Sequence, residues 1–229
     1  MMKTKIIATV GPSSAKKEIL KKMRRAGMNI IRVNTKHASK NFCLEIKQFL
    51  KRTDIKLLID IKDLKFVEWL RDFEFDYLAI SFAETGAQIR KVKEILGKKK
   101  VKIISKIESK KGLRNVDEIL KESDGLMIAR GDLGKALSFE KVPVMQKLTI
   151  RKCKLKNKTA ITATEMLLSM LNSKKPSKAD VSDIANAVFD GSNYLMLSEE
   201  TAIGKYPVQA VATMNKIIRE CEKTRKLLG

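Results

Sequence analysis

Residues 102–134 read KIISKIESKKGLRNVDEILKESDGLMIARGDLG, and they hold one complete strand–helix–strand unit. A β-branched run at 102–107 is followed by an amphipathic stretch and then by a second short apolar run, GLMIA, at 125–129. Apolar runs of this length, bounded by Ser, Asp and Gly, read as buried strands, and the interval between them suits a crossover helix. The same alternation continues in both directions. Upstream lie KIIATVG (5–11), NIIRVN (29–34), KLLIDIK (56–62) and YLAISF (77–82); downstream lie TAITAT (159–164) and YLMLS (194–198). Ile19, Leu20, Met23 and Ala26 keep a helical period before Gly27, as do Val211, Met214, Ile218 and Cys221 near the end. Eight strands, each followed by a helix, predict one closed (β/α)8 TIM barrel over residues 1–229. An open doubly wound sheet is the alternative, but its dinucleotide motif GxGxxG is absent.

Composition agrees with that reading. A chain of 229 residues, 44% hydrophobic and 5% aromatic, buries one sizeable core, and about 200 to 250 residues is normal for a single α/β barrel. No stretch approaches the roughly 18 apolar residues of a membrane span, and the apolar run of MMKTKIIATVGPSS is too short for a signal peptide. The expectation is a cytoplasmic protein with no membrane partner. Cys43, Cys153 and Cys221 are odd in number, widely spaced and accompanied by one histidine, so they read as reduced core residues rather than metal ligands. The net charge of +22 suits either nucleic acid or small anions. Its lysines are scattered as pairs such as Lys16-Lys17 and Lys110-Lys111, without an aromatic platform or recognition motif, which argues against nucleic acid.

In such a barrel the active site lies at the carboxyl ends of the strands. That rule selects Arg32 and Asn34 on the second strand, Asp60 and Lys62 on the third, and Lys106 and Glu108 on the fifth. It also selects Asp132 after the sixth, Thr164 on the seventh, and Ser198 and Glu200 on the eighth. In RVNTKHAS (32–39), an extended chain puts Arg32, Asn34 and Lys36 on one face. Lys106 and Glu108, two apart, share a face, and Asp132 follows the adjacent strand, about 5 Å away in a parallel ladder. Two carboxylates from neighbouring strands suit Mg²⁺ or Mn²⁺, and a lysine beside them adds positive charge where an enolate or phosphoryl group develops negative charge. The competing reading is a structural Lys106–Glu108 ion pair with Asp132 as a turn or cap residue.

KTKIIATVGPSS, GMNIIRVN, DYLAISF, KIISKIES, SDGLMIARGDLG, TAITATEML and LSEETAIGKYPVQAV resemble, in the same order, the barrel signatures of the pyruvate kinase family. The resemblance covers essentially the whole chain and is weak between Asp63 and Asp76. It implies a metal-dependent barrel that moves the phosphoryl group of phosphoenolpyruvate to ADP, giving pyruvate and ATP. On that resemblance Lys106 stabilises the transferring phosphoryl group and enolate, and Glu108 and Asp132 hold Mg²⁺ or Mn²⁺. Thr164 lies by the carbon that is protonated, the amides around Gly131 and Asp132 receive the carboxylate, and Arg32 contacts phosphate. Asn34 and Asp60 line the potassium site, and His37 sits near the nucleotide.

Several positions depart from the family pattern. IDIKDLKFVEWLRDFEFDYLAISF (59–82) leaves no room, between about 63 and 76, for the family's lid domain, and the chain is expected to lack its carboxy-terminal domain. The third strand resembles DTKGPEIR but reads DIKDLKFV (60–67), so Val67 takes the place of a phosphate-binding arginine and Ile61 that of a potassium-binding threonine. The second strand resembles RxNxSHG, but here Lys36 stands for the serine and Ala38 for the glycine. Lys36 is therefore expected to supply the monovalent charge beside Asp60, so that potassium is not required. Glu199 replaces a glycine in LSEETA.

The expected function is a minimal, magnesium-dependent pyruvate kinase-like phosphotransferase. The alternatives are a metal-dependent pyruvate-enolate lyase that uses no nucleotide and a non-catalytic phosphoenolpyruvate-binding barrel. An oligomer is left open.

Overall fold

The computed structural model describes residues 3–51 and 53–228, with side chains described as far as residue 224. Eight parallel strands close into a barrel in sequence order. They are β1 (Lys5–Thr9), β2 (Met28–Asn34), β3 (Lys56–Ile61), β4 (Tyr77–Ile80), β5 (Lys102–Ile107), β6 (Gly125–Ala129), β7 (Thr159–Ala163) and β8 (Tyr194–Leu197). Every expected strand is present, and β8 pairs with β1 to close the ring.

The strands are apolar throughout because both of their faces are covered. Ile7, Ile30, Leu58, Ile104, Met127 and Ile161 point inward and fill the barrel. Their neighbours Ile6, Ile31, Leu57, Ile103 and Leu126 point outward and pack beneath the helices. This is the period-two alternation of a strand, applied to two cores at once. Gly27 shows how the helices stop: it takes φ 118° after helix Lys17–Ala26 and turns its N–H back to the carbonyls of Met23 and Arg24.

Register at the amino-terminal face is set by a fourfold side-chain device. The amides of Ile6, Leu57, Ile103 and Ala160 donate to Asn29 Oδ1 (2.8 Å), Asp76 Oδ2 (2.8 Å), Asp124 Oδ2 (2.8 Å) and Asn193 Oδ1 (2.7 Å). In each case the second residue of an odd strand is tied to an Asn or Asp at the start of the next even strand. A slip of one residue would break these bonds and exchange the inner and outer faces.

Residues 62–76 connect β3 to β4 through helix Lys65–Leu70, whose Val67 and Leu70 are fully buried (0%). Val67 is therefore a core residue beneath the helix layer and does not stand at the mouth in an arginine's place. Trp69 stacks against Phe73 with ring centroids 4.7 Å apart, and Phe73 against Phe75 at 6.3 Å, which closes this connection as a small aromatic layer.

Cys43, Cys153 and Cys221 are buried, and none of them is in a disulfide among the described residues. Burial pushes the Cys43 thiol up to about 11 and the Cys153 thiol up to about 12. Because the thiolate is the reactive form, neither is expected to react with a thiol reagent at pH 8 in the native protein, and both should react once urea unfolds it. Fast native labelling at Cys43 or Cys153, read by peptide mass spectrometry, would contradict this packing. Among the described residues no helix is long and apolar enough to cross a membrane.

Candidate active site

At the carboxyl ends of β2, β3 and β5 four charged side chains meet in a region closed to solvent. Register places Asn34 opposite Asp60 and Asp60 opposite Ala79, so the end of β3 sits between its neighbours. Asp60 is 1% exposed. Its Oδ2 accepts from Arg32 Nε (2.9 Å) and Nη2 (2.7 Å), and Lys106 Nζ lies 3.2 Å from the same oxygen. Lys106 Nζ also reaches Ser81 Oγ (2.9 Å) and Glu108 Oε1 (3.0 Å). Ser81 Oγ donates to Asp60 Oδ1 (3.2 Å), and Arg32 Nη1 donates to Thr9 Oγ1 (2.9 Å). The result is a chain of alternating sign, Arg32, Asp60, Lys106 and Glu108, with each charge met by its neighbour.

Burial alone would raise the Asp60 carboxyl, but the Lys106 ammonium and the Arg32 guanidinium outweigh it and hold the group below the usual carboxylate range. Asp60 is thus the fixed anion that keeps two cations in place. Ser81 was not singled out from sequence, although it lies in DYLAISF just beyond β4. Its hydroxyl has a role only because β3 and β5 flank β4.

Across the mouth, Thr164 follows β7 with φ 69°. Its Oγ1 accepts from the amide of Gly131 (2.8 Å), the second residue of the helix Arg130–Ala136 that follows β6, and donates to the Ala163 carbonyl (2.5 Å). Glu200 is 1% exposed, and both of its carboxylate oxygens are taken by backbone amides. It accepts the amides of Met166, Leu167 and Ser198, tying the β7 exit loop to the β8 exit loop. Glu199 lies in the first turn of helix Glu199–Ala202 and is not among the residues with positive φ, so no glycine is needed there.

Lys36 is not brought to Asp60. The strand ends at Asn34, where the amides of His37 (3.0 Å) and Ala38 (3.1 Å) fold back onto the Asn34 carbonyl. That turn carries Lys36 and His37 outward, and both are exposed. Asn34 is half-buried, and its Oδ1 accepts the Lys36 amide (3.2 Å). The two-residue alternation that groups Arg32, Asn34 and Lys36 therefore stops before Lys36.

The carboxylates proposed for a divalent metal differ in setting. Glu108 is 2% exposed, and its Oε2 accepts the Phe82 amide (2.6 Å) while Oε1 faces Lys106. Asp132 is partly exposed and paired with Lys135 at 3.1 Å. The ion pair between Lys106 and Glu108, weighed from sequence as a structural alternative, is thus present. Among the described residues no group of three or more His, Cys, Asp or Glu side chains is placed to hold a metal alone. Glu108 follows β5 directly and Asp132 lies in the first turn of helix Arg130–Ala136 after β6, and two carboxylates are a donor set of the kind Mg²⁺ takes, with water and substrate oxygens completing its shell.

The match to known proteins follows the same pattern. Residues 1–57 and 54–211 match the family "Pyruvate kinase, barrel domain". The chain is 43% identical over 183 residues to a pyruvate kinase of Methanocaldococcus jannaschii, covering 79% of this chain and 41% of that protein. It is 46% identical over 170 residues to one of Thermococcus litoralis, covering 73% and 36%. A pyruvate kinase of Dictyostelium discoideum is 48% identical over 166 residues, covering 71% and 32%. The chain's matched part thus spans between about a third and two fifths of the length of these relatives. With the closed barrel, the buried charge chain at its carboxyl face and these matches together, the chain belongs to the pyruvate kinase family and corresponds to its barrel domain.

Proposed function

We propose that this barrel catalyses phosphoryl transfer between phosphoenolpyruvate and ADP, forming pyruvate and ATP. The observation that carries the reading is the buried chain Arg32, Asp60, Lys106, Glu108, placed at the strand ends with Thr164 across from it. A transferring phosphoryl group carries spread negative charge, and its catalysis is chiefly positioning and electrostatic stabilisation. Arg32 and Lys106 offer two cationic side chains held in place by one shared carboxylate, which spares reorganisation when the charge develops. Glu108 and Asp132 would hold Mg²⁺, whose charge stabilises the enolate and phosphoryl oxygens. Thr164 Oγ1 accepts from the Gly131 amide and donates to the Ala163 carbonyl (2.5 Å), two bonds that fix the oxygen; to protonate the enolate carbon the hydroxyl would turn its proton from that carbonyl to the substrate. Gly131 and Asp132 lie in the first turn of helix Arg130–Ala136, where the substrate carboxylate would be received, the Gly131 amide sharing or releasing its bond to Thr164 Oγ1.

Potassium is not needed on this reading, because the Asp60 charge is met by Arg32 and Lys106 and the oxygen donors expected at Ile61 and Lys36 are replaced. The nucleotide would be met on the side of Arg32, Asn34 and His37, without a lid between residues 63 and 76. A metal-dependent enolate lyase is the second reading, favoured by the enclosure of the enolate side while Lys36 and His37 stand exposed.

The test is pyruvate formation from phosphoenolpyruvate in Mg²⁺ without potassium, with and without ADP, following ATP in parallel. ADP-dependent pyruvate with equal ATP is the expected result. Pyruvate without ADP would make water the acceptor. No pyruvate from phosphoenolpyruvate, with metal-dependent decarboxylation of oxaloacetate, would replace the kinase by the lyase.

A further inference from the structure

Thr164 and Glu165 both take left-handed backbone conformations, φ 69° and 55°. Thr164 is β-branched, a residue type that such a conformation disfavours strongly, so something outside the turn must hold it there. Two buried side chains of opposite charge grip this segment from either side. Arg130, 8% exposed, stands at the exit of β6. Its Nε (3.1 Å) and Nη2 (2.7 Å) fork the Thr164 carbonyl, and Nη2 also reaches the Glu165 carbonyl (2.9 Å). Its Nη1 donates to Asp183 Oδ1 (2.7 Å) and Gln146 Oε1 (3.4 Å), so the guanidinium plane is set by two further helices. From the β8 side, Glu200 Oε1 accepts the next two amides, Met166 (3.1 Å) and Leu167 (3.0 Å), and Oε2 accepts that of Ser198 (2.7 Å).

We propose that Arg130 and Glu200 are a pair of positioning residues that clamp residues 164–167 and so fix the Thr164 hydroxyl against the Gly131 amide. Arg130 takes the carbonyls of the strained pair, and Glu200 takes the amides that follow. Neither side chain touches the reacting atoms; both act through Thr164. This rests on the reading of Thr164 as the group that delivers the proton to the enolate. A lysine cannot replace Arg130, because a point ammonium lacks the planar fork that grips one carbonyl twice while still pairing with Asp183.

Two measurements test the clamp. In Arg130→Lys, hydrogen exchange at the Gly131, Met166 and Leu167 amides is expected to quicken by about 10²-fold, while exchange in the barrel strands stays unchanged. Unchanged loop exchange would overturn the clamp whether or not the protein turns over phosphoenolpyruvate. For the catalytic role, Arg130→Lys should lower kcat for pyruvate formation by about 10²-fold with KM for phosphoenolpyruvate within about threefold. The double variant with Thr164→Val should be no slower than Thr164→Val alone, because both changes remove the same contribution. If the two losses multiply, or if KM rises with kcat intact, Arg130 has no positioning role. Faster loop exchange in a barrel that never makes pyruvate would keep the clamp as an anchor of the turn and reject its catalytic purpose together with the kinase reading.

Discussion

Asp60→Asn is expected to destabilise the barrel by about 3–5 kcal/mol, the cost of leaving buried charges without their counter-ion. The carboxylate takes two hydrogen bonds from Arg32 and one each from Lys106 and Ser81, in a site where Asp60 is 1% exposed. An amide of the same shape keeps one acceptor oxygen, turns its N–H₂ toward a cation, and leaves Arg32 and Lys106 facing each other without the anion between them. Urea unfolding should show a lower midpoint with an unchanged slope. The exposed pair Arg24–Asp54, 2.8 Å apart, is the control: Asp54→Asn should leave the midpoint almost where it was. Equal effects at the two sites would mean that the Asp60 cluster is hydrated and contributes no more than a surface pair.

The same carboxylate fixes the sign of one pH dependence. The Asp60 pKa is lower in the folded protein than in the unfolded chain, where it lies near about 3.9. Its contribution to stability is therefore fully present above about pH 4 and is lost as the pH falls through the lower folded value, since the unfolded chain takes the proton first. Between pH 7 and pH 5 this group should leave stability flat. Below pH 4 the parent should lose stability more steeply than Asp60→Asn, which has no carboxylate to protonate at that position.

The barrel is legible in the sequence because each strand is a short apolar run, and short apolar runs separated by helical stretches have few ways to bury both faces. Lys106 and Glu108 are legible for a similar reason, since their spacing needs only one strand and the rule that sites gather at carboxyl ends. What escapes is what depends on partners far along the chain. Ser81 and Arg130 acquire their roles from Asp60 on β3 and from the segment after β7, and nothing in their immediate neighbours marks them; Glu200 is marked by its place after β8, but its bonds to the amides of Met166 and Leu167 are not. The conformation of Thr164 escapes for the opposite reason, because local preference argues against φ 69° in a β-branched residue and only the clamp overrides it. The period that groups Lys36 with Arg32 holds only while the chain stays extended, and the turn onto the Asn34 carbonyl ends it. The Asn and Asp residues that begin the even strands were visible in GMNII, DYLAI, SDGLM and SNYLM, yet their meaning requires knowing that the odd strands lie beside them.

Lys106→Met should lower kcat for phosphoryl transfer by about 10²- to 10³-fold, the usual loss when one preorganised charge is removed from a developing anion. Its second effect separates catalysis from architecture. Without the ammonium, Asp60 still has Arg32, but among the described residues Glu108 keeps the Phe82 amide and no cation. A buried carboxylate in that state seeks another cation. Metal-free Lys106→Met should therefore melt well below the parent, and Mg²⁺ should raise its melting temperature more than it raises the parent's, because Lys106 no longer competes for Glu108. Asp132 lies outside that competition, paired with Lys135 at the surface, so Asp132→Asn should weaken the response to Mg²⁺ without lowering the metal-free melting temperature. If Mg²⁺ shifts neither variant differently from the parent, Glu108 belongs to the ion pair alone and the divalent metal is held elsewhere. If the metal restores stability but not turnover, Lys106 acts on the reacting phosphoryl group itself, which an ion bound at Glu108 cannot do in its place.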